Sequence, residues 1–208
     1  MNSSRWTNYE KRRLPWFREG GMTLILGGSG SGKSTLAEKW SDMCRGRFAP
    51  KVKGRIPLSY IATLQVGDDP ESQARVQRHR LQRANYGFTT YEIPAILGSE
   101  FESVEKNGVV LLDCLGNLAA NQMFNSDPAR GVSEVVSVLT DALINLVKDQ
   151  MHVIVVSNLI FSDGIVYDDL TLSYREALGR LHQNLAAQAD QVVEVVCGEG
   201  IFWKGGII

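Results

Sequence analysis

The chain has little of what would mark a membrane, secreted or nucleic-acid-coating protein. In its 208 residues no apolar run approaches the ~18–20 residues of a membrane span. The first 21 residues, MNSSRWTNYEKRRLPWFREGG, contain no apolar core of the ~7–15 residues that a signal peptide requires. Neither sign of charge is in surplus: 22 Lys and Arg face 23 Asp and Glu, for a net charge of −1. A domain built to neutralise nucleic-acid phosphates carries a basic excess, so no nucleic-acid partner is expected. Cysteine is scarce, and Cys44, Cys114 and Cys197 are odd in number and far apart. They form neither a disulfide framework nor a CxxC metal site, and are expected to be buried, reduced thiols of a cytoplasmic protein.

What is present is ordinary globular material, 44% hydrophobic and 22% charged. That is enough apolar surface for a core, and it excludes wholesale disorder. The length suits a single domain. Residues 1–21 carry Arg5, Lys11, Arg12, Arg13 and Arg18 without a clear period. They are expected to form a basic N-terminal extension that packs through Trp6 and Trp16 or stays mobile, ahead of a domain spanning 22–208.

From Met22 onward the pattern becomes regular. Short apolar runs at Met22–Leu26, Leu58–Ala62, Val109–Leu112, Val153–Val156 and Val192–Val196 are bounded by polar residues or glycine. Such runs predict strands buried on both faces. Helical periodicity occupies Ser34–Cys44, Glu134–Lys148 and Leu172–Ala189 between them. Alternation of this kind predicts an α/β fold with a mostly parallel sheet flanked by helices. Arg45–Pro57, with five basic residues, two glycines and two prolines, predicts an exposed basic loop.

The run Gly27-Gly28-Ser29-Gly30-Ser31-Gly32-Lys33-Ser34 fits G-x-x-x-x-G-K-[ST] and lies between a predicted strand and a predicted helix. Glycines let the backbone curl until successive N–H groups converge on an anion, and the helix aims its positive end at the same point. Lys33 adds a point charge for the β- and γ-phosphates, and the Ser34 hydroxyl suits Mg²⁺. The chain is therefore expected to bind a nucleoside triphosphate in the manner of P-loop NTPases. Asp113, at the end of the run Val109–Leu112, supplies the second carboxylate such a site uses for Mg²⁺. The alternative is a solvated strand-end carboxylate or a helix cap.

The segment ESQARVQRHRLQR, residues 71–83, sets Arg75, His79 and Arg83 at i, i+4 and i+8, on one face of a predicted helix. Arg78 and Arg80 crowd the same histidine. Four guanidinium groups around one imidazole repel each other unless an anion lies among them, and their forks match phosphate oxygens. Their charge also favours the neutral imidazole, the form with a nucleophilic lone pair. By itself the segment equally suits a solvated, arginine-rich face.

Taken in order, these residues resemble the bifunctional adenosylcobinamide kinase/adenosylcobinamide-phosphate guanylyltransferase family of cobalamin biosynthesis. The likeness runs through GGSGSGKSTLAE, YIATLQVGDDPESQARVQRHRLQR, FTTYEIP, LLDCLGNLAAN, SNLIFSDGIVYDD and SYREALGRLHQNLAAQADQV, from about Met22 to Gly198. It implies phosphorylation of adenosylcobinamide, followed by transfer of GMP from GTP through a histidine. By position it makes His79 the guanylylated nucleophile and Gly27–Ser34 the triphosphate loop; His79 and Lys33 are the expected catalytic residues. Thr63, Leu64, Gln65, Arg80, Leu81, Gln82, Arg83 and Glu92 become nucleotide contacts. It further implies GTP, ATP and Mg²⁺ as requirements, a corrinoid substrate and a small homo-oligomer. The chain departs from the family pattern at Leu159 (acidic there), Tyr167 (Pro), His182 (Asn) and Ala84 (Pro), and adds the N-terminal arm and the 45–57 loop.

His152, at the start of a strand run, is expected to be structural, and His182 to have a packing or surface role on the last long helix, with acceptor binding as the alternative. Asp163, Asp168 and Asp169 surround Gly164-Ile165-Val166 in a polar loop that suits either a ligand or solvent. Two other functions fit the motifs: a small-molecule P-loop kinase without a covalent intermediate, and a retired nucleotide sensor that binds a partner.

Overall fold

The apolar runs fold as strands and the periodic stretches as helices. The computed structural model describes residues 15–65, 83–125, 129–161 and 164–205. Seven strands form one sheet: β1 (Gly21–Gly27), β2 (Leu58–Ala62), β3 (Thr89–Glu92), β4 (Val109–Asp113), β5 (His152–Asn158), β6 (Gln191–Val196) and β7 (Glu199–Lys204). Their order is β3-β2-β4-β5-β1-β6-β7. Every pairing is parallel except β6 with β7, which closes the sheet with an antiparallel edge. The strand after the phosphate-loop strand in space is β5, so β5 lies between β1 and β4.

Among the described residues, four helices cover the sheet. α1 (Lys33–Phe48) packs on one face through Ala37, Trp40, Cys44 and Phe48, against Ile25, Leu111, Ile154 and Val193. The other face carries α2 (Leu115–Phe124), α3 (Val132–Lys148) and α4 (Asp169–Gln188). There Leu118, Leu139, Leu143 and Leu181 bury against Leu24, Val110, Val153 and Val155. Alternate residues of one strand thus enter opposite cores, as the period-two geometry of a strand requires. Among the described residues no helix is long and apolar enough to cross a membrane.

Some expectations need correction. The basic stretch is not all loop: α1 runs on to Phe48, and Arg45 and Arg47 sit in its last turn, where cations complement the helix dipole. After a 3₁₀ turn at Ala49–Lys51 the exposed loop begins at Val52. Cys44 and Cys114 are buried, but Cys197 is exposed in the β6–β7 turn, at a φ of 51°. The N-terminal segment docks through Phe17, which is buried edge-on to His152, while Trp16 is 51% exposed. Arg18 adds an ion pair to Asp190 at 3.0 Å. Trp6 and the rest of residues 1–14 lie outside the described residues. Strands β3 and β7 and helix α2 were not predicted from periodicity.

The two described histidines are structural. His152 is fully buried, with its ring nitrogens 2.9 Å from Thr23 Oγ1 and 3.0 Å from Arg18 O. His182, on α4, places Nε2 2.7 Å from Ser157 Oγ near the end of β5, with the Phe161 ring edge-on. Burial lowers the His182 pKa from 6.5 to about 4. The unfolded chain therefore takes up a proton that the fold refuses. The resulting stability is complete above pH 6.5 and is lost as pH falls toward 4. Replacing His182 by Asn, which cannot titrate, should flatten this limb by up to about 3 kcal/mol. Urea unfolding at pH 7 and pH 4.5 checks it, and an unchanged difference between wild type and His182→Asn would refute it.

Candidate active site

Because the strands are parallel, their carboxyl ends meet along one edge of the sheet, where open α/β sheets place ligands. Gly27, Ala62, Glu92, Asp113 and Asn158 are the last residues of β1 to β5. A cavity of about 540 Å³ opens there, walled by the phosphate loop, by the ends of β2, β3 and β4, and by Arg83.

The phosphate loop is a short glycine arch between β1 and α1. Gly30 and Gly32 have φ of 69° and 93°, in the left-handed region that favours glycine. Gly32 caps α1 without any side-chain hydrogen bond, which leaves the first-turn N–H groups to an anion. A Cβ on Gly27 would fall 2.5 Å from Ser31 Oγ and 2.8 Å from Val195 O, so the arch must spring from a bare backbone. Three main-chain hydrogen bonds fix its course: Ser31 N to Gly28 O at 3.2 Å, Leu159 N to Gly27 O at 3.0 Å, and Gly198 N to Ser31 O at 2.8 Å. Lys33 is buried and donates from Nζ to Gly28 O at 3.0 Å. Ser29, Gly30, Gly32, Lys33 and Ser34 line the cavity, while Gly27, Gly28 and Ser31 form the loop's base.

The opposite wall is a cluster of ionisable side chains. Asp113 Oδ2 accepts from Tyr60 Oη at 3.1 Å. The Arg83 guanidinium lies 3.6 Å from the centre of the Tyr60 ring and is only 6% exposed. Such stacking holds a cation without neutralising it. Glu38, one helical turn beyond Ser34 on α1, is 5% exposed. Burial pushes the Glu38 pKa up from 4.5 to about 7; the Arg83 charge opposes the rise and the Asp113 charge adds to it. Burial and the Asp113 charge also raise the Tyr60 phenol above its ordinary value, so it remains a hydrogen-bond donor.

The sequence-predicted residues do not all stand in the same place. Ser34 and Asp113 face the one cavity, as do Leu64, Arg83 and Glu92. Thr63 instead serves from behind. It is fully buried, its hydroxyl donates to Cys114 O and accepts from Cys114 N, both at 2.7 Å, and it ties β2 to β4. Gln65 is exposed and accepts from Asn125 Nδ2 at 3.2 Å. His79, Arg80, Leu81 and Gln82 lie outside the described residues. Glu38, Tyr60, Asn117 and Asn158 belong to the site without having been singled out as site residues. Tyr60 was hidden in an apolar run and Glu38 in a helix, although SNLI, with Asn158, was among the quoted motifs.

A hydroxyl and a carboxylate are hard oxygen donors of the kind Mg²⁺ prefers. Among the described residues no three His, Cys, Asp or Glu side chains gather to hold a metal. The donor set therefore fits a cation bound by Ser34 and Asp113 that takes its other ligands from phosphate and water.

Two outcomes follow from this geometry. A carboxyl group that keeps its proton longer in the fold loses stability as pH rises from 4.5 to 7. The Glu38→Gln variant should therefore gain on wild type between pH 5 and pH 8, by about 1–3 kcal/mol, in ligand-free thermal unfolding; equal curves at pH 8 would contradict this. Gly32→Ala combines a strained φ with a Cβ 3.3 Å from Gly198 Cα. It should cost about 1–2 kcal/mol of stability and most of the nucleotide affinity, read by titration with a fluorescent GTP analogue.

Comparison with known proteins agrees with this geometry. The family model described as cobinamide kinase / cobinamide phosphate guanyltransferase matches residues 23–202. The bifunctional adenosylcobalamin biosynthesis protein CobP of Pseudomonas aeruginosa is 31% identical over 183 residues, covering 88% of this chain and 96% of that protein. The bifunctional adenosylcobalamin biosynthesis protein CobU of Escherichia coli is 28% identical over 189 residues, covering 86% and 98%. A solved RadB recombinase is more distant, at 18% identity and a TM-score of 0.47 over 86% of this chain and 75% of its own. The family match runs from β1 into β7 and takes in every element around the cavity, and the chain belongs to the cobinamide kinase / cobinamide phosphate guanyltransferase family.

Proposed function

We propose that the chain carries out both reactions of its family at this cavity, with GMP held on His79 during the second. In the first reaction the aminopropanol hydroxyl of adenosylcobinamide attacks the γ-phosphorus of ATP or GTP. The β–γ bridging bond breaks, the nucleoside diphosphate leaves and the hydroxyl proton passes to solvent or a nearby base. The amides of Gly28–Ser34 and the Lys33 ammonium hold the phosphate oxygens as charge shifts toward the leaving group. Ser34 and Asp113 would hold Mg²⁺, which would supply further neutralisation of that charge.

In the second reaction a nitrogen of His79 attacks the α-phosphorus of GTP. A P–N bond forms, the α–β bond breaks and pyrophosphate leaves. A phosphate oxygen of adenosylcobinamide phosphate then attacks the same phosphorus, the P–N bond breaks, and adenosylcobinamide-GDP is released with the imidazole restored. Arg83 masks charge on the phosphates under attack, and Tyr60 keeps its guanidinium in place. Arg80, Leu81 and Gln82 act with Arg83, and Leu64 and Glu92 contact the nucleotide from the ends of β2 and β3.

The observation that carries this reading is the position of Arg83. It lies four residues after His79 and stands, buried, on the wall of the nucleotide cavity. That position of Arg83 supports a role in phosphate handling for the segment it ends. The enzyme is further proposed to work in the cytoplasm as a small homo-oligomer.

The test is intact-protein mass after incubation with GTP and Mg²⁺, for wild type and His79→Ala. A gain of one GMP, labile to acid and absent from His79→Ala, is expected. A folded, GTP-binding protein that gains no mass would overturn the covalent step and leave a simple kinase.

A further inference from the structure

A second cavity, of about 480 Å³, adjoins the first. The two share wall residues, Ser29 on the phosphate loop and Asn158 at the end of β5. The rest of the wall has a different character. It is built from Leu159, Ile160, Tyr167 and Tyr174, with Thr171 and Arg175 on α4. Two of its hydroxyls are already engaged: Tyr174 Oη donates to Gly116 O at 3.2 Å, and Thr171 Oγ1 donates to Asp168 Oδ2 at 2.8 Å. The Arg175 guanidinium lies 4.8 Å from the Tyr167 ring centre and donates to Phe161 O at 3.1 Å.

From this arrangement we infer that the second cavity is the acceptor subsite, and that it seats the aminopropanol arm of the corrinoid with the adjoining edge of its macrocycle. The inference rests on the family activity proposed above. An acceptor hydroxyl must come within ~3–3.5 Å of the phosphorus it attacks. A pocket that shares Ser29 with the triphosphate cavity brings it to the loop that holds the γ-phosphate. The acceptor is large, neutral over most of its surface and edged with amides, so it needs apolar walls with few polar anchors. The first cavity, with Lys33, Arg83, Asp113 and Glu92, is charged and suits a nucleotide; the second is mostly apolar and does not.

A whole corrinoid exceeds the volume of this pocket. Val166 and Leu170 precede Tyr167 and Thr171 in the chain and are 96% and 62% exposed. Adjacent in the chain to two wall residues, they offer apolar surface for the rest of the ring. Leu159 is set between the two sites by its own backbone, through the hydrogen bond from its N–H to Gly27 O. Its side chain can therefore be changed while that link is kept.

The experiment measures KM for adenosylcobinamide in the kinase reaction, and Kd for a fluorescent GTP analogue with Mg²⁺. It uses wild type, Leu159→Trp, which fills the pocket, and Tyr167→Ala, which opens its wall. A rise of about tenfold or more in KM for the corrinoid, with Kd for nucleotide within about twofold of wild type, is expected in both variants. An unchanged corrinoid KM, or a nucleotide Kd that rises in step with it, would overturn the subsite. Wild-type protein that binds nucleotide and does not phosphorylate adenosylcobinamide would instead overturn the family activity, and the subsite with it. Should Leu159→Trp fail to fold, Tyr167→Ala decides alone.

Discussion

The active edge depends on the way the phosphate loop is held from both sides by neighbouring strand ends. A glycine arch has no side chains to pack, so its shape must come from main-chain hydrogen bonds. Leu159 N, just past β5, grips Gly27 O, and Gly198 N, in the β6–β7 turn, grips Ser31 O. Those two strands flank β1 in the sheet. Parallel pairing therefore does more than stack strands. It delivers one donor from each side to a loop that would otherwise collapse, and that loop in turn aims the α1 amides at the phosphates.

The opposite wall is governed by the cost of burying charge. Glu38, Asp113, Tyr60 and Arg83 share a small volume, and among the described residues the Arg83 guanidinium faces two carboxyl groups there. Burial resolves the imbalance by letting Glu38 keep a proton near neutrality. On the far side of the sheet His182 makes the reverse adjustment and stays neutral when it would ordinarily be charged. The two pH dependences oppose each other in mildly acidic solution, so the folded protein is less sensitive to pH there than either group alone would make it.

Legibility from sequence followed physical signal. Continuous apolar strands and the phosphate loop stood out because burial on both faces and anion binding each demand a narrow choice of residues. Strand β3, with the sequence TTYE, is short and mostly exposed at the sheet edge, and so carried no periodicity. The antiparallel β7 escaped because its register is set by the turn at Cys197 and Gly198, whose positive φ cannot be read from composition. Asp113 and Ser34 were placed by motif, but their neighbours Glu38 and Tyr60 were not. A glutamate on a helix looks like a solvent-facing residue until the fold covers it. Thr63 shows the converse: a residue matched to a nucleotide motif has its hydroxyl turned inward to Cys114, where it braces two strands.

The tie between Gly198 and Ser31 links two points that are far apart in the sequence, on opposite sides of most of the sheet's strands. During synthesis the glycine arch emerges early, with β1 and α1, yet its two outer supports, Leu159 and Gly198, are made only after β2, β3, β4 and β5. Strand β1 must also wait for β5 and β6 to find its partners on either side. A nascent chain therefore carries the phosphate-binding motif long before it has a phosphate-binding site. Competence to bind nucleotide arrives late and all at once, as a property of the finished sheet.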